Sequence, residues 1–145
     1  MQVSPKFHAN AERMIEHGRA LAALAPNIAI KIPCTAAGVK AAEELVASGI
    51  NVNATVSFTV SQAVALGEAF ERGLDRARRG GADMTRLHPY MTLMVGRLDD
   101  LLQRVMAKEQ VAIDPGYIAW AGIAVFKRAH EIFKRRGFRS SLLTA

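Results

Sequence analysis

The chain has 145 residues, of which 50% are hydrophobic and 22% are charged, so it is neither a disordered nor a fibrous protein. It carries 19 lysines and arginines against 13 aspartates and glutamates, a formal net charge of +6. This excess suits an anionic partner such as a phosphate ester, a nucleic acid or an acidic surface, and charge alone does not choose among them.

Hydrophobic spacing predicts helices and strands in alternation along the chain. The predicted helices lie at residues 8–25, 36–47, 60–79, 98–107 and 114–136, and the predicted strands at 27–33, 51–58, 91–96 and 140–144. Thr35 suits the start of the second helix, and Gly49 and Gly80 follow the ends of the second and third. Asp114 and Pro115 open the last helix. On that helix we expect the packing side to be formed by Tyr117, Trp120, Ile123, Ala124 and Phe126.

This alternation predicts an α/β protein with a parallel sheet, forming a single domain over residues 1–145. A strand-like segment also opens the chain at residues 2–4, and another closes it at 142–144. Both ends therefore look cut. Because a sheet of this size would leave two unpaired edges, we expect that other chain segments complete it or that the chain self-associates.

The cysteine content and the hydropathy of the chain indicate the cellular compartment of the protein. The single cysteine, Cys34, cannot form a disulfide within the chain, and residues 1–5 lack the basic and apolar segments of a secretory signal. The longest apolar stretch, residues 117–126, is about half of the ~20 residues needed to span a bilayer. We therefore expect a cytoplasmic protein without a membrane segment.

Two predicted strands carry polar side chains where parallel strands are usually apolar. Lys31 lies among isoleucines in the first strand, and Asn51, Asn53, Thr55 and Ser57 form one side of the second. The opposite side of that second strand is formed by Val52, Ala54, Val56 and Phe58. In a barrel, one face of each strand points toward the axis, where unpaired polar groups are costly unless they form a pocket. We therefore interpret the polar face as a candidate site.

Lys31 has two interpretations. Desolvation in such a pocket favours the neutral amine, which could attack a sugar carbonyl and form a Schiff base. A lysine near a strand end can instead extend its ammonium group to water. Spacing alone favours the second interpretation, and Asn53 and Thr55 fit a solvated edge strand equally well.

Three segments resemble the transaldolase family. Residues 27–35 (NIAIKIPCT) resemble the strand that bears the Schiff-base lysine. Residues 49–56 (GINVNATV), with Phe58 and Gln62-Ala63, resemble the next strand, and residues 94–100 (MVGRLDD) resemble the turn that contacts phosphate. The similarity extends over nearly the whole chain.

The resemblance implies parallel βα units of a TIM (β/α)8-type barrel, in partial form, because a closed barrel takes roughly 250 residues. The chain would span about the third to the seventh strands. The implied enzyme is a transferase of the pentose phosphate pathway that moves a dihydroxyacetone unit between sugar phosphates through a lysine Schiff base. No metal or other cofactor is required.

The resemblance also implies roles by position. Lys31 would form the Schiff base, and Asn53 would bind the hydroxyls of the covalent intermediate. Thr55 would help to hold the water that relays protons. Arg97 would bind the substrate phosphate, for which its planar guanidinium is well suited.

Three positions depart from the family pattern. Thr92 stands where the family often has serine, and Met94 where it often has an aromatic residue; both should line the substrate pocket. Gln2 occupies the position of a glutamate that orders the catalytic water in the better-known branches, and an amide cannot shuttle protons as a carboxylate does. The first-strand aspartate and the phosphate-binding residues of the seventh strand have no counterpart. A non-catalytic fragment without a complete active site is therefore the alternative.

A basic nucleic-acid-binding module is a third interpretation. Arginines and lysines cluster at residues 76–79 and 127–139, where they could neutralise phosphates. These positions are helix ends and no RNA- or DNA-binding motif accompanies them, which is typical of solvated helix ends. The four histidines lack the close spacing of metal ligands, and Cys34 has no nearby base, so it is interpreted as a packing residue.

Overall fold

The structure is a computed structural model that describes the backbone of residues 1–145 and every side chain except that of residue 115. The helices are Ala11–Ala22 (α1), Ala36–Ala47 (α2), Val60–Arg79 (α3), Val95–Glu109 (α4) and Pro115–Arg136 (α5). The strands are Ile30–Pro33 (β1), Val52–Ser57 (β2), Tyr90–Leu93 (β3) and Ser141–Thr144 (β4). A short 3-10 helix, Pro5–Phe7, precedes α1.

The strands form one parallel sheet in the order β1-β2-β3-β4. The opening segment continues this sheet beyond β1, because Gln2 forms a parallel bridge with Lys31. The Val3 N–H donates to the Lys31 carbonyl at 3.1 Å, and the Lys31 N–H donates to the Met1 carbonyl at 2.6 Å. The predicted α/β class with parallel βα units is confirmed, and the arrangement is consistent with part of a TIM-type barrel.

The core lies between one face of the sheet and the helices. Ile30 and Ile32 of β1 are fully buried, as are Val52 and Ala54 of β2. They pack with helix residues that include Leu45, Val46, Leu66 and Phe70. Because successive strand residues point to opposite faces, the residues between them lie on the other face, which is called the open face below.

Helices α2 and α3 have the predicted bounds, since side chains cap their first turns. The Thr35 Oγ1 accepts the Gly38 N–H at 2.9 Å, and the Thr59 Oγ1 accepts the Gln62 N–H at 3.2 Å. The two helices approach closely at Gly73, where an added Cβ would lie 2.8 Å from the Glu43 carbonyl oxygen. Only glycine allows this approach.

Several other predicted boundaries are wrong by a few residues. Helix α1 begins at Ala11 rather than residue 8, because the Asn10 Oδ1 accepts the Arg13 N–H and caps it there. Strand β1 begins at Ile30 rather than residue 27. Strand β3 ends at Leu93, and α4 begins at Val95, three residues before the predicted start.

The predicted regular alternation of β2 is wrong in its second half. A register shift between Ala54 and Ser57 inserts one extra residue relative to β3, and Val56 adopts a positive φ of 56°. This bulge reverses the sides of the residues that follow it. Val56 is therefore exposed, and Ser57 is fully buried rather than on the polar face.

The predicted packing side of α5 is also wrong in part. Tyr117 is 72% exposed and Trp120 is 65% exposed, and Ile123 and Ala124 are exposed as well. Among the α5 side chains that the structure describes, the buried ones lie on a different stripe, formed by Ile118, Gly122, Ala129 and Phe133. Only Phe126 of the predicted set packs against the core. Among the residues that the structure describes, no helix is both long and apolar enough to cross a membrane.

Candidate active site

The open face brings three predicted site residues into one row. Lys31 is the direct register partner of Asn53 on β2, and it bridges to Gln2 on its other side. Lys31 and Asn53 are half-buried, whereas Gln2 is exposed at the edge of the sheet. The Lys31 amine therefore lies between two side-chain amides, that of Asn53 on β2 and that of Gln2 on the opening segment.

Two hydrogen bonds extend this row to β3 and its carboxyl end. The Thr92 Oγ1 donates to the Asn53 Oδ1 at 3.1 Å, which leaves the Asn53 amide nitrogen free to donate to a ligand. The Thr55 Oγ1 lies 3.7 Å from the Met94 Sδ and donates to it. The side chains of β1, β2 and β3 that were predicted to share a pocket thus lie on one continuous surface.

Arg97 lies beside this surface in the first turn of α4. Its side chain is exposed, and α4 begins at the carboxyl end of β3 with no acidic residue in its first turn. The amino end of a helix carries partial positive charge, so this position favours an anion. One of the terminal amides, that of Gly96, already donates to the Ala145 carbonyl at 3.3 Å.

Two polar residues of the predicted face do not join the site. The Asn51 Oδ1 accepts the His88 N–H at 2.6 Å, and its Nδ2 donates to the Arg86 carbonyl at 2.8 Å. Asn51 therefore attaches the segment before β3 to the start of β2. The Ser57 Oγ donates to the Thr92 carbonyl at 2.7 Å and lies on the buried side of the bulge.

Tyr90 is a residue of the open face that the sequence analysis missed. It is the first residue of β3, it pairs with Asn53, and it is half-buried. Its phenol adds a donor and acceptor to the same face. Counting back two residues from Thr92 would have found it, but the predicted strand began one residue later.

Comparison with known proteins identifies the family. The family model described as "Transaldolase/Fructose-6-phosphate aldolase" matches residues 1–145. The chain belongs to this family. It is 31% identical to a transaldolase of Thiobacillus denitrificans over 100% of this chain and 41% of that protein. It is 34% identical to a transaldolase of Thermobifida fusca over 90% of this chain and 37% of that protein. The chain thus spans about two-fifths of the length of these relatives.

The basic clusters of this family member are partly neutralised within the chain. Arg76 pairs with Glu43 and Glu44, and its hydrogen bond lowers the pKa of the Glu44 carboxyl. Arg139 pairs with Glu71 at 2.6 Å and with Asp75 at 2.7 Å. Arg136 pairs with Glu68. These cations connect α2 with α3 and α3 with the end of α5, so part of the positive charge is used to join helices.

Cys34 directly follows β1, three residues beyond Lys31. It is buried, and burial raises the pKa of its thiol to about 12. A thiol with this pKa is protonated at neutral pH and is a poor nucleophile. Its Sγ donates to the Gln62 carbonyl at 3.9 Å. These observations agree with the interpretation of Cys34 as a packing residue.

The raised pKa of Cys34 predicts a pH-dependent contribution to stability. The folded chain keeps the thiol protonated, whereas the unfolded chain ionises it above its ordinary pKa of 9.0. The contribution is therefore complete below about pH 9 and is lost as the pH rises toward the folded pKa of about 12. At about pH 10.5 the loss should approach 2 kcal/mol at most.

Denaturant unfolding at about pH 8 and pH 10.5, compared with Cys34→Ala, measures this difference. The difference in unfolding free energy between the two chains should move against the natural chain at the higher pH. Cys34 should also resist iodoacetamide at pH 8 until the chain is unfolded. Rapid alkylation of the folded chain would contradict both expectations.

Proposed function

We propose that this chain carries the Schiff-base part of a transaldolase-type active site, with Lys31 as the nucleophile. The observation that carries the proposal is the pairing of Lys31 with Asn53, whose side chain Thr92 already orients. Family membership and the names of the relatives support the same chemistry. The proposed reaction moves a dihydroxyacetone unit from a ketose phosphate to an aldose phosphate, as in the pentose phosphate pathway.

In the proposed mechanism, the Lys31 amine adds to the ketose carbonyl carbon, and water leaves to give an iminium ion. The C3–C4 bond of the ketose, one bond away from the iminium carbon, then breaks. Its electron pair forms the C2–C3 double bond of an enamine while the C=N electrons move to nitrogen, and the C4 hydroxyl gives its proton to a water molecule as the aldose phosphate leaves. The enamine attacks the aldehyde carbon of the acceptor, and the aldehyde oxygen takes up a proton. Water then hydrolyses the Schiff base and restores the free amine.

The neighbouring side chains have proposed roles in binding and positioning. Asn53 donates its amide hydrogens to hydroxyls of the intermediate, and Thr92 and Met94 line the pocket beside it. Thr55 helps to hold a water molecule. Gln2 can also hydrogen-bond that water, but it cannot accept its proton as a carboxylate would.

Arg97 is the proposed phosphate contact. Its guanidinium can bind two phosphate oxygens at once, and the amino end of α4 adds favourable partial charge. The sugar would then extend from Arg97 across the open face to Lys31.

The proposed assembly is self-association, or union with the remaining part of a barrel. The open face and the outer edge of β4 lack a covering layer in the described part of the chain, and Leu143 on that face is 46% exposed. Apolar residues and unpaired strand edges favour association. We further propose a cytoplasmic location, in keeping with a substrate made of sugar phosphates.

Borohydride trapping tests the Schiff base. Incubation with fructose 6-phosphate followed by reduction should leave a dihydroxyacetone-derived or hexose-derived mass on Lys31, located by peptide mass spectrometry. Lys31→Met should lose this adduct. Lys40→Met, which removes an exposed lysine of α2, should keep it. An unmodified chain would favour the alternative of a non-catalytic fragment.

Phosphate dependence tests Arg97. Arg97→Ala should reduce the rate of adduct formation with fructose 6-phosphate by about tenfold or more, because a charge-assisted contact is lost. The rate with unphosphorylated dihydroxyacetone should stay within about twofold. Arg104→Ala, an exposed position on the same helix, is the matched control and should resemble the natural chain. Equal losses with both sugars would exclude Arg97 as the phosphate contact.

Sedimentation velocity tests the assembly. The purified chain should sediment as a dimer or larger species at micromolar concentrations. Leu143→Lys should shift it toward the monomer because a charge on the open face opposes its burial. Leu24→Lys, a change at another exposed leucine, should not. A compact, soluble monomer at all concentrations would refute self-association.

A further inference from the structure

Gln62 makes more hydrogen bonds than its place in α3 requires. It is the third residue of this helix, and its Oε1 accepts the Thr59 N–H at 3.2 Å to complete a capping box. The same Oε1 accepts the Phe58 N–H at 2.8 Å. The Nε2 donates to the Cys34 carbonyl at 3.2 Å and to the Val56 carbonyl at 3.4 Å. One side-chain amide thus connects the segments that follow β1 and β2.

The two halves of this amide have different tasks. A capping box needs only an acceptor at this position, and glutamate serves as well as glutamine. A carboxylate cannot donate to the Cys34 and Val56 carbonyls, however. The Nε2 bonds are therefore additional to helix capping, and they go to the backbone of Cys34, which directly follows β1, and of Val56 in β2.

The backbone that Gln62 holds is the part of the sheet next to the proposed nucleophile. The Cys34 N–H donates to the Thr55 carbonyl at 2.6 Å, so the ends of β1 and β2 are joined directly as well. Val56, the residue after Thr55, has a φ of 56°, a conformation that valine rarely adopts. Such a conformation persists only where the surroundings impose it.

We propose that Gln62 is a positioning residue, which holds the carboxyl ends of β1 and β2 together through its Nε2 and thereby sets the relative placement of Lys31 and Thr55. This inference rests on the proposed function. Gln62 acts through the backbone of Cys34 and Val56, and it does not contact the substrate.

The test compares two side-chain amides, one near each end of β2, that both hydrogen-bond to the backbone of neighbouring segments. Gln62→Glu keeps the capping acceptor and loses the Nε2 donor. Asn51→Asp is the matched control, since it keeps the acceptor for the His88 N–H and loses the donor to the Arg86 carbonyl. Gln62→Glu removes two donated hydrogen bonds and Asn51→Asp removes one, so denaturant unfolding of both chains is measured to separate a loss of rate from a loss of stability.

The readout is the rate of borohydride-trapped adduct formation at Lys31 as a function of fructose 6-phosphate concentration. Gln62→Glu should lower the maximal rate by about tenfold to a hundredfold, because small misplacements of reacting groups have effects of this size. The half-saturating concentration should change by less than about threefold. Asn51→Asp should retain the natural maximal rate within about twofold. Equal losses in both variants would mean a purely structural role and would overturn the proposal.

Two measurements without sugar phosphate separate this proposal from the proposed function. Hydrogen exchange at the Cys34 amide, which reports its bond to Thr55, should accelerate by about tenfold or more in Gln62→Glu and stay unchanged in Asn51→Asp. Reductive methylation with formaldehyde should show an altered rate at Lys31 relative to Lys40 only in Gln62→Glu. If the natural chain forms no sugar adduct, the proposed function fails and these two measurements alone decide the role of Gln62. If neither moves, the role of Gln62 is refuted even where the adduct forms.

Discussion

The side of the sheet on which Lys31 lies is imposed by the strand around it. Ile30 and Ile32, its two neighbours in β1, are fully buried, and the backbone of β1 is hydrogen-bonded to Met1 and Val3 on one side and to Asn51 on the other. Turning β1 over would expose two isoleucines, at about 1.5–3 kcal/mol each, and would place an ammonium group in the apolar layer. The amine therefore stays on the open face, and the register of Asn53 follows from it.

The bulge in β2 is the second constraint, and it has an energetic cost. A valine held at positive φ costs on the order of 1–3 kcal/mol. Bonds at the two residues that follow Val56 offset this cost: the Ser57 Oγ donates to the Thr92 carbonyl, the Met94 N–H donates to the Ser57 carbonyl at 2.9 Å, and the Gln62 Oε1 accepts the Phe58 N–H. At about 0.5–1.5 kcal/mol each, three such bonds are comparable with the strain. Through these bonds the segment at the bulge is attached to β3 and to the first turn of α3.

Local signals explain which parts of the fold could be predicted. Thr35 is a recognisable cap at the start of α2, and the two-residue period separates Lys31 from its isoleucine neighbours and places Asn53 on the polar side of β2. The place of Thr92 in the pocket followed only from the family resemblance. The bulge has no such sequence signal, because the residue with positive φ is Val56 rather than the glycine that is typical of this conformation. The start of α4 has no sequence signal either, since Met94 makes no side-chain capping hydrogen bond.

The packing side of α5 was concealed by small residues. Gly122 is buried there, and a Cβ on it would lie 2.7 Å from the Val95 Cβ. The side of α5 that packs against α4 therefore includes a residue without a side chain, which adds nothing to the hydrophobic pattern of the sequence. The large residues Tyr117 and Trp120 remain on the outside. Hydrophobic pattern alone ranks the bulky face first and misses a contact that depends on the absence of a side chain.

The two ends of the proposed substrate would be held with unequal firmness. Lys31 belongs to a strand bonded on both sides, whereas Arg97 lies on α4, which has no buried residue and packs mainly on α5. Carbon–nitrogen bond formation depends on placement within fractions of an ångström, while an arginine can follow a phosphate with its long side chain. The proposed phosphate contact would therefore tolerate movements of α4 that the lysine chemistry of β1 would not.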